Sequence, residues 1–287
     1  MKKILKTIQE NRVDYEDIIR DAEVSIRNDD AYIRAIIGVR GRHQFLEPTI
    51  NSINQGGNMV SVTIVECDTQ LQHSGQCRKL GVNYIGIKTK KDEQYNRSLA
   101  FNVGAILSGK CEWLLTHDID CVVKDNFFSN LLKNTRRHGS GAVQSFNKRR
   151  VLYCSTKLSK SLIRDEIDVN GLCEESDGIS TCAGKAPGGS IFINRDLFFE
   201  VGGYDPELFY GYAPEDRFFW DKVSIYEEIR SASNPVTDIF HLHHEPMMGT
   251  NPELGRMIKI ADTFGRLNYS EKLNIVKYKQ EILSSWL

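Results

Sequence analysis

The chain has 287 residues, 40% of them hydrophobic and 26% charged, and a formal net charge of −1. That length allows one large core or two small ones, and near-neutrality excludes a global field that would gather nucleic acid. No stretch has the length and apolarity to span a bilayer, which excludes a transmembrane chain and leaves a soluble or peripheral one.

The seven cysteines include no Cys-x-x-Cys pair, which argues against a zinc knuckle. Cys67, Cys111 and Cys121 lie in or beside apolar runs and read as small core residues, as expected of a reducing compartment. Basic clusters at Lys88–Lys91, Arg136–His138 and Lys148–Arg150 read as solvated faces, or as neighbours of anionic lipid or a phosphorylated acceptor. The start, Met1 to Lys6, is basic without an apolar stretch of signal-peptide length, so a cytoplasmic location is expected.

In chain order, residues 1–30 carry Ile4, Leu5, Ile8, Val13, Ile18 and Ile19 at helical spacing and predict one or two helices. Ala35 to Val39 is the first strand and runs into Arg40-Gly41-Arg42-His43. Phe45 to Ile53 follows as a helix with Pro48 in its first turn. Val60 to Glu66 is the second strand and Asn83 to Ile87 the third. Tyr95-Asn96-Arg97-Ser98 opens a helix through Ile106, with Asn96 as its N-cap. Trp113 to Thr116 is the central strand. A helix is expected over Lys124–Asn134 and a strand over Gly141–Phe146. Val151–Cys154 reads as a strand and Leu172–Lys185 as a long loop. Ile191–Ile193 is a strand, and Asp196–Val201 a short helix ended by Gly202-Gly203. A helix follows from Arg217 through Trp220. Ile239 to Pro246 is a late strand that becomes a histidine cluster, and the tail beyond 253 is helical. The alternation predicts an α/β fold with a mostly parallel central sheet flanked by helices.

The central strand ends in Asp118 and Asp120, one residue apart. In an extended segment both face one side, at the edge where open α/β sheets place ligands. Two such anions suit a hard divalent metal carrying nucleotide phosphates; a polar strand end capping the next turn is the other reading. At the same edge, Arg40 and Arg42 end the first strand with two guanidiniums suited to phosphate or uracil oxygens, and Glu66 ends the second.

Four separated stretches together resemble a GT-A glycosyltransferase, in particular the β-1,4-galactosyltransferase catalytic domain and bacterial capsule-biosynthesis glycosyltransferases. Val39-Arg40-Gly41-Arg42-His43 resembles the group's Phe-Arg-x-Arg-His motif. Tyr95 to Gly104 resembles its Phe-Asn-Arg-Ala-x-x-x-Asn-Val-Gly helix. His117-Asp118-Ile119-Asp120 stands at its Asp-Val-Asp. Gly188-Gly189-Ser190 through Gly203-Tyr204 to Glu215-Asp216 resembles its Gly-Gly … Gly-Gly-Glu-Asp block. The match runs over roughly residues 33–250 and leaves both ends outside it. The group's Trp-Gly-Trp-Gly-Gly-Glu-Asp is here Tyr210 to Asp216 with Ala213-Pro214 for the second Gly pair, which stiffens the loop. Its Met-x-x-His metal pair aligns with His241-x-x-His244, a change toward harder metals. Its disulfide cysteines have no counterpart.

The resemblance implies a GT-A (Rossmann-like) catalytic domain over 31–252, a helical N-terminal extension over 1–30 and a helical C-terminal segment over 253–287. It implies transfer of a galactose-, GalNAc-, glucose- or GlcNAc-type sugar from a UDP-sugar to a saccharide or lipid-linked saccharide hydroxyl, with inversion, in capsule or surface polysaccharide synthesis at the inner membrane face. Mn2+ or Mg2+ would be held by Asp120 with His244 and His241, although alternating faces prevent His241, His243 and His244 from all ligating. Asp118 would meet the ribose or a metal-bound water. Asp216 is expected as general base, with Glu215 positioning the acceptor; as a first-turn acidic pair they also suit a helix N-terminus. Arg40, Arg42, Glu66 and Arg97 would contact the nucleotide, Gly188 and Gly189 would admit the donor sugar, and Tyr212, with Tyr210, would stack on sugar rings. A nucleotidyltransferase is disfavoured by the single glycine after the first strand. A metal-dependent hydrolase would want more ligands at strand ends, and a carbohydrate-binding module needs neither a base nor a metal site.

Overall fold

The structure, a computed structural model, describes residues 1–27, 30–107, 109–138, 144–146, 151–181, 188–226, 230–232, 238–245 and 251–286. The chain opens with α1 (Lys2–Glu10), α2 (Tyr15–Asp21) and β1 (Glu23–Ser25). It continues through β2 (Ile33–Val39), α3 (His43–Asn54), β3 (Val60–Asp68), α4 (Ser74–Leu80), β4 (Asn83–Lys88), α5 (Arg97–Leu107) and β5 (Trp113–Asp118). Then come β6 (Cys121–Val123), α6 (Phe127–His138), β7 (Gln144–Phe146), β8 (Val151–Cys154), α7 (Thr156–Ile163), β9 (Ile179–Thr181), β10 (Ser190–Asn194) and α8 (Arg195–Glu200). The last elements are α9 (Glu215–Val223), β11 (Arg230–Ala232), β12 (Ile239–His241), α10 (Leu254–Arg266) and α11 (Tyr269–Ser284).

The main sheet has the order β1-β4-β3-β2-β5-β10-β7-β11. Its centre, β4-β3-β2-β5, is parallel throughout, and β10 pairs antiparallel with β5. A smaller sheet, β6-β12-β8-β9, sits beside it. All seven residues of β2 are buried, as a parallel strand covered on both faces requires. The pleat sends alternate side chains to separate apolar layers. Ile36, Leu114, Ile191 and Ile193 join α5, α8, α9, α10 and α11 on one face. Ile33, Ala35, Ile37, Leu115 and Phe192 join α3, α6 and the smaller sheet on the other. Each fully buried aliphatic side chain contributes about 1.5–3 kcal/mol. Ile4, Ile8 and Tyr15 of the first two helices share the face that α10 and α11 cover. A Cβ at Gly104 would collide with Ile36 and Val65, so this glycine lets α5 ride close on β2 and β3.

Several boundaries differ from those read in the sequence. The third helix starts at His43, two residues early, so Pro48 lies inside it rather than in its first turn. The sixth helix begins at Phe127 instead of Lys124 and runs to His138, because Cys121–Val123 are drawn into pairing with β12. The expected loop over Leu172–Lys185 contains β9, a polar edge strand on β8 with no apolar alternation to announce it. The ninth helix starts at Glu215, two residues before the expected Arg217. α4 carries one buried residue, Cys77, and is stopped by left-handed Gly81; it has no apolar stripe to read. Gly141–Val143, Lys148–Arg150, Cys182, Lys185, Pro187 and Pro246 lie outside the described residues.

Candidate active site at the carboxyl edge of the sheet

Counted along the chain, the parallel strands lie in the order third, second, first, fourth, so the order reverses between β2 and β5. At such a switch point the loops diverge and leave a crevice at the carboxyl edge. The β2–α3 loop with Arg40 and Arg42 and the β5–β6 turn with Asp118 and Asp120 both border it. The turn is tied on three sides. The Asp118 amide donates to Gly189 O at 2.7 Å and the Leu242 amide to Asp120 O at 2.7 Å. Thr49 Oγ1 donates to Ile119 O at 2.6 Å. Because β5 stops at Asp118 and a turn follows, the two carboxylates take different partners.

Asp120, 2% exposed, meets two histidines and an arginine. Its Oδ2 lies 3.1 Å from His244 Nε2 and its Oδ1 3.6 Å from His241 Nε2. Arg42 Nη1 donates to Oδ2. One ligand atom from each of Asp120, His241 and His244 falls within 4.8 Å of the other two, and a carboxylate with two imidazoles suits a divalent ion. The contact between His244 Nδ1 and Glu245 O, 2.8 Å, fixes Nδ1 as a donor and turns Nε2 toward Asp120. Burial pushes Asp120 up, but the His244 hydrogen bond and the charges of His241 and Arg42 outweigh it and hold it below the usual carboxylate range. His241 is lowered by burial, against the pull of Asp120, whereas the Asp120 hydrogen bond raises His244. His243 stands apart, its amide donating to Ser159 Oγ at 2.7 Å.

The second cluster is centred on Arg97, at the start of α5. Asn96 caps that helix, its Oδ1 accepting from the Leu99 amide at 3.0 Å. Arg97 Nε is 2.8 Å from Asp118 Oδ1, and Nη1 is 2.9 Å from both Glu215 Oε1 and Asp216 Oδ2. Glu215 Oε2 and Asp216 Oδ1 are buried without a hydrogen-bond partner among the described residues. Three carboxylates around one guanidinium leave an excess of negative charge. Burial, then Asp216, pushes Glu215 up to about 8. Burial raises Asp118 to about 7 although Arg97 opposes it. A Cβ at Gly188 would strike the Asp216 carboxylate and have to displace it.

The loop from Gly202 to Asp216 is anchored from below. Asn102 exchanges hydrogen bonds with the backbone of Tyr204. Lys222 pairs with Asp205 at 2.6 Å and Lys279 with Glu207 at 2.7 Å, all four buried. Asn251 Nδ2 donates to Tyr210 O at 2.7 Å and Tyr212 O at 3.1 Å. Tyr212 itself is 45% exposed.

The remaining expected residues fall at the same edge with different engagements. Arg40 donates to Glu93 O at 2.5 Å and keeps a quarter of its side chain exposed. Glu66 is closed: it accepts from the amides of Gln72 and His73 and from Tyr84 Oη at 2.6 Å, which pins the β3–α4 loop. Gly189 is left-handed at φ 88° and packs near Cys121 Sγ. Two residues bordering the site stood in the quoted motifs without a role of their own. Tyr95 sends a buried hydroxyl, unpartnered among the described residues, against Gly38. His117 is held between Ser190 Oγ at 2.8 Å and Cys121 O at 2.9 Å, and burial lowers it to about 4. It braces the strand end.

No protein-family model matches the sequence, and no curated protein matches it. Solved structures do match. GalNAc-T7 with UDP, GalNAc and Mn2+ superposes at TM-score 0.55 and 12% identity, over 89% of this chain and 55% of that one. Glucosyl-3-phosphoglycerate synthase from Mycobacterium tuberculosis, with Mn2+, UDP and phosphoglyceric acid, gives 0.55 and 10%, over 83% and 80%. S. aureus TarS 1-349 with UDP-GlcNAc gives 0.52 and 13%, over 88% and 71%. The chain has the GT-A fold. Both clusters border the switch point of that GT-A sheet.

Proposed function

We propose that this chain is a metal-dependent glycosyltransferase that moves a hexosyl group from a UDP-sugar to a saccharide or lipid-linked saccharide hydroxyl, with inversion. The observation that carries the reading is the meeting, at one switch point, of a cation-seeking cluster (Asp120, His241, His244) and an acid cluster with buried oxygens unpartnered among the described residues (Glu215, Asp216). Three glycosyltransferases of the same fold hold UDP or UDP-GlcNAc, two of them with Mn2+, which supports this donor class. Bound at Asp120, His241 and His244, Mn2+ or Mg2+ would neutralise charge developing on the departing diphosphate.

The chain's own groups do the rest. Asp216 keeps Oδ2 on Arg97 and offers Oδ1 to the acceptor hydroxyl, taking its proton as the oxygen attacks the anomeric carbon opposite the diphosphate. It stands in the first turn of α9. Glu215, raised to about 8, carries a proton near neutral pH and orients the acceptor by hydrogen bonding. Arg40 and Arg42 serve the nucleotide phosphates, Gly188 and Gly189 admit the donor sugar, and exposed Tyr212 stacks on a sugar ring. No helix among the described residues is long and apolar enough to cross a membrane; cytoplasmic surface-polysaccharide synthesis at the inner membrane face completes the proposal.

Incubation with UDP-glucose, UDP-galactose, UDP-GlcNAc and UDP-GalNAc plus saccharide acceptors, with Mn2+ or EDTA, tests it. UDP release that needs both metal and acceptor, with a β-linked product by NMR, is expected. Release indifferent to EDTA, or an α-linked product, would overturn the metal or the inverting part.

A further inference from the structure

Arg42 is one of two non-glycine residues with positive φ among the described residues, at φ 56° and ψ 35°, and it follows Gly41 at φ 63°. A long L-side chain in that region is uncommon and strained. The two left-handed residues turn the loop back over the end of β2, and this turn lays the Arg42 guanidinium on the Asp120 cluster. Nη1 donates to Asp120 Oδ2, the oxygen that His244 Nε2 faces at 3.1 Å. Nη2 lies 3.4 Å from His244 Nδ1. The guanidinium therefore occupies a lone pair of the donor set that would hold a metal ion.

We propose that Arg42 is the resident counter-cation of this site: it holds Asp120 in the metal-free protein and must leave when a divalent ion binds. The inference rests on the metal-dependent reading above. A buried carboxylate is costly without a cation beside it, and Arg42 supplies one. A divalent ion on the same oxygen would face a guanidinium within a few ångströms, where like charges repel strongly in a water-poor site. The Arg42 side chain is 27% exposed, so an exit toward solvent is open. A nucleoside diphosphate in the crevice offers it a forked anionic partner in exchange. Metal and nucleotide thus favour each other's binding partly through Arg42, and by linkage the effect is reciprocal.

The test is calorimetric titration of Mn2+ alone into nucleotide-free wild type, Arg42→Met and Arg42→Gly, repeated with UDP present. Asp120→Asn is the site control, and a melting curve checks each variant. Arg42→Gly suits the left-handed backbone and keeps the test open if Arg42→Met folds poorly. Without UDP, both Arg42 variants are expected to bind Mn2+ about tenfold more tightly than wild type, and the gain from UDP should shrink. Unchanged or weaker Mn2+ affinity in both, with binding lost in Asp120→Asn, overturns the counter-cation role and leaves the metal site standing. No Mn2+ binding in any variant, with or without UDP, or binding indifferent to Asp120→Asn, overturns the metal reading and this proposal with it.

Discussion

The two clusters at the carboxyl edge use the same chemistry in opposite proportions. Around Asp120, one carboxylate is shared by Arg42, His241 and His244. Around Arg97, one guanidinium is shared by Asp118, Glu215 and Asp216. Asp120 and Glu215 are both almost fully buried, 2% and 7% exposed, yet one stays below the usual carboxylate range and the other rises to about 8. Burial pushes both the same way, so the neighbours decide. Around Asp120 the neighbours favour the charged carboxylate; around Glu215, burial and Asp216 favour the protonated one. Under the proposed function, the first cluster binds the cation and the second handles the proton.

The largest effect is expected from removing the cation that three acids share. Arg97→Met leaves those carboxylates buried without it and should cost about 3–5 kcal/mol of stability, read by urea unfolding at pH 7. A loss under about 1 kcal/mol would mean that the acids tolerate each other without it. Next, Asp216→Asn should lower the transfer rate by about two orders of magnitude or more, about 2.7 kcal/mol, with UDP affinity near wild type. An equal loss of UDP binding would move Asp216 from proton transfer to binding and blur the two clusters into one.

A pH series sharpens the comparison further. A buried acid whose pKa rises on folding favours its protonated form, so its contribution is complete below the ordinary carboxyl pKa and is lost as pH climbs through about 8. Glu215→Gln should therefore flatten the fall in melting temperature between about pH 5 and pH 9. An unchanged slope would assign that fall to other groups. The smallest effect is expected at His243, whose ring takes no part in either cluster. His243→Ala should leave metal affinity unaltered and change stability by less than about 0.5 kcal/mol. A tenfold loss of Mn2+ affinity would redraw the ligand set.

Legibility in the sequence followed burial. β2, β3, β4 and β5 are packed on both faces, so their residues form apolar runs that read directly as strands. β6 and β9 are three residues long and take their conformation from partners distant in the chain, so nothing local marks them. In the site, Asp118, Asp120, Glu215 and Asp216 could be picked out by type, position and resemblance. Their pairing could not, because Arg97 reaches acids 118 and 119 residues away and Arg42 reaches His244 across 202. Glu66 illustrates the converse. Its carboxylate accepts from the amides of Gln72 and His73, only six and seven residues on.

Under the proposed function, the Asp120 cluster brings a divalent ion and a nucleotide together. Calorimetric titration of UDP into the wild-type protein, with Mn2+ and again with EDTA, tests it most directly. A saturating isotherm with Mn2+ and a loss of at least about tenfold in affinity with EDTA are expected. Equal affinity in both, or no binding by protein shown to be folded, would contradict it.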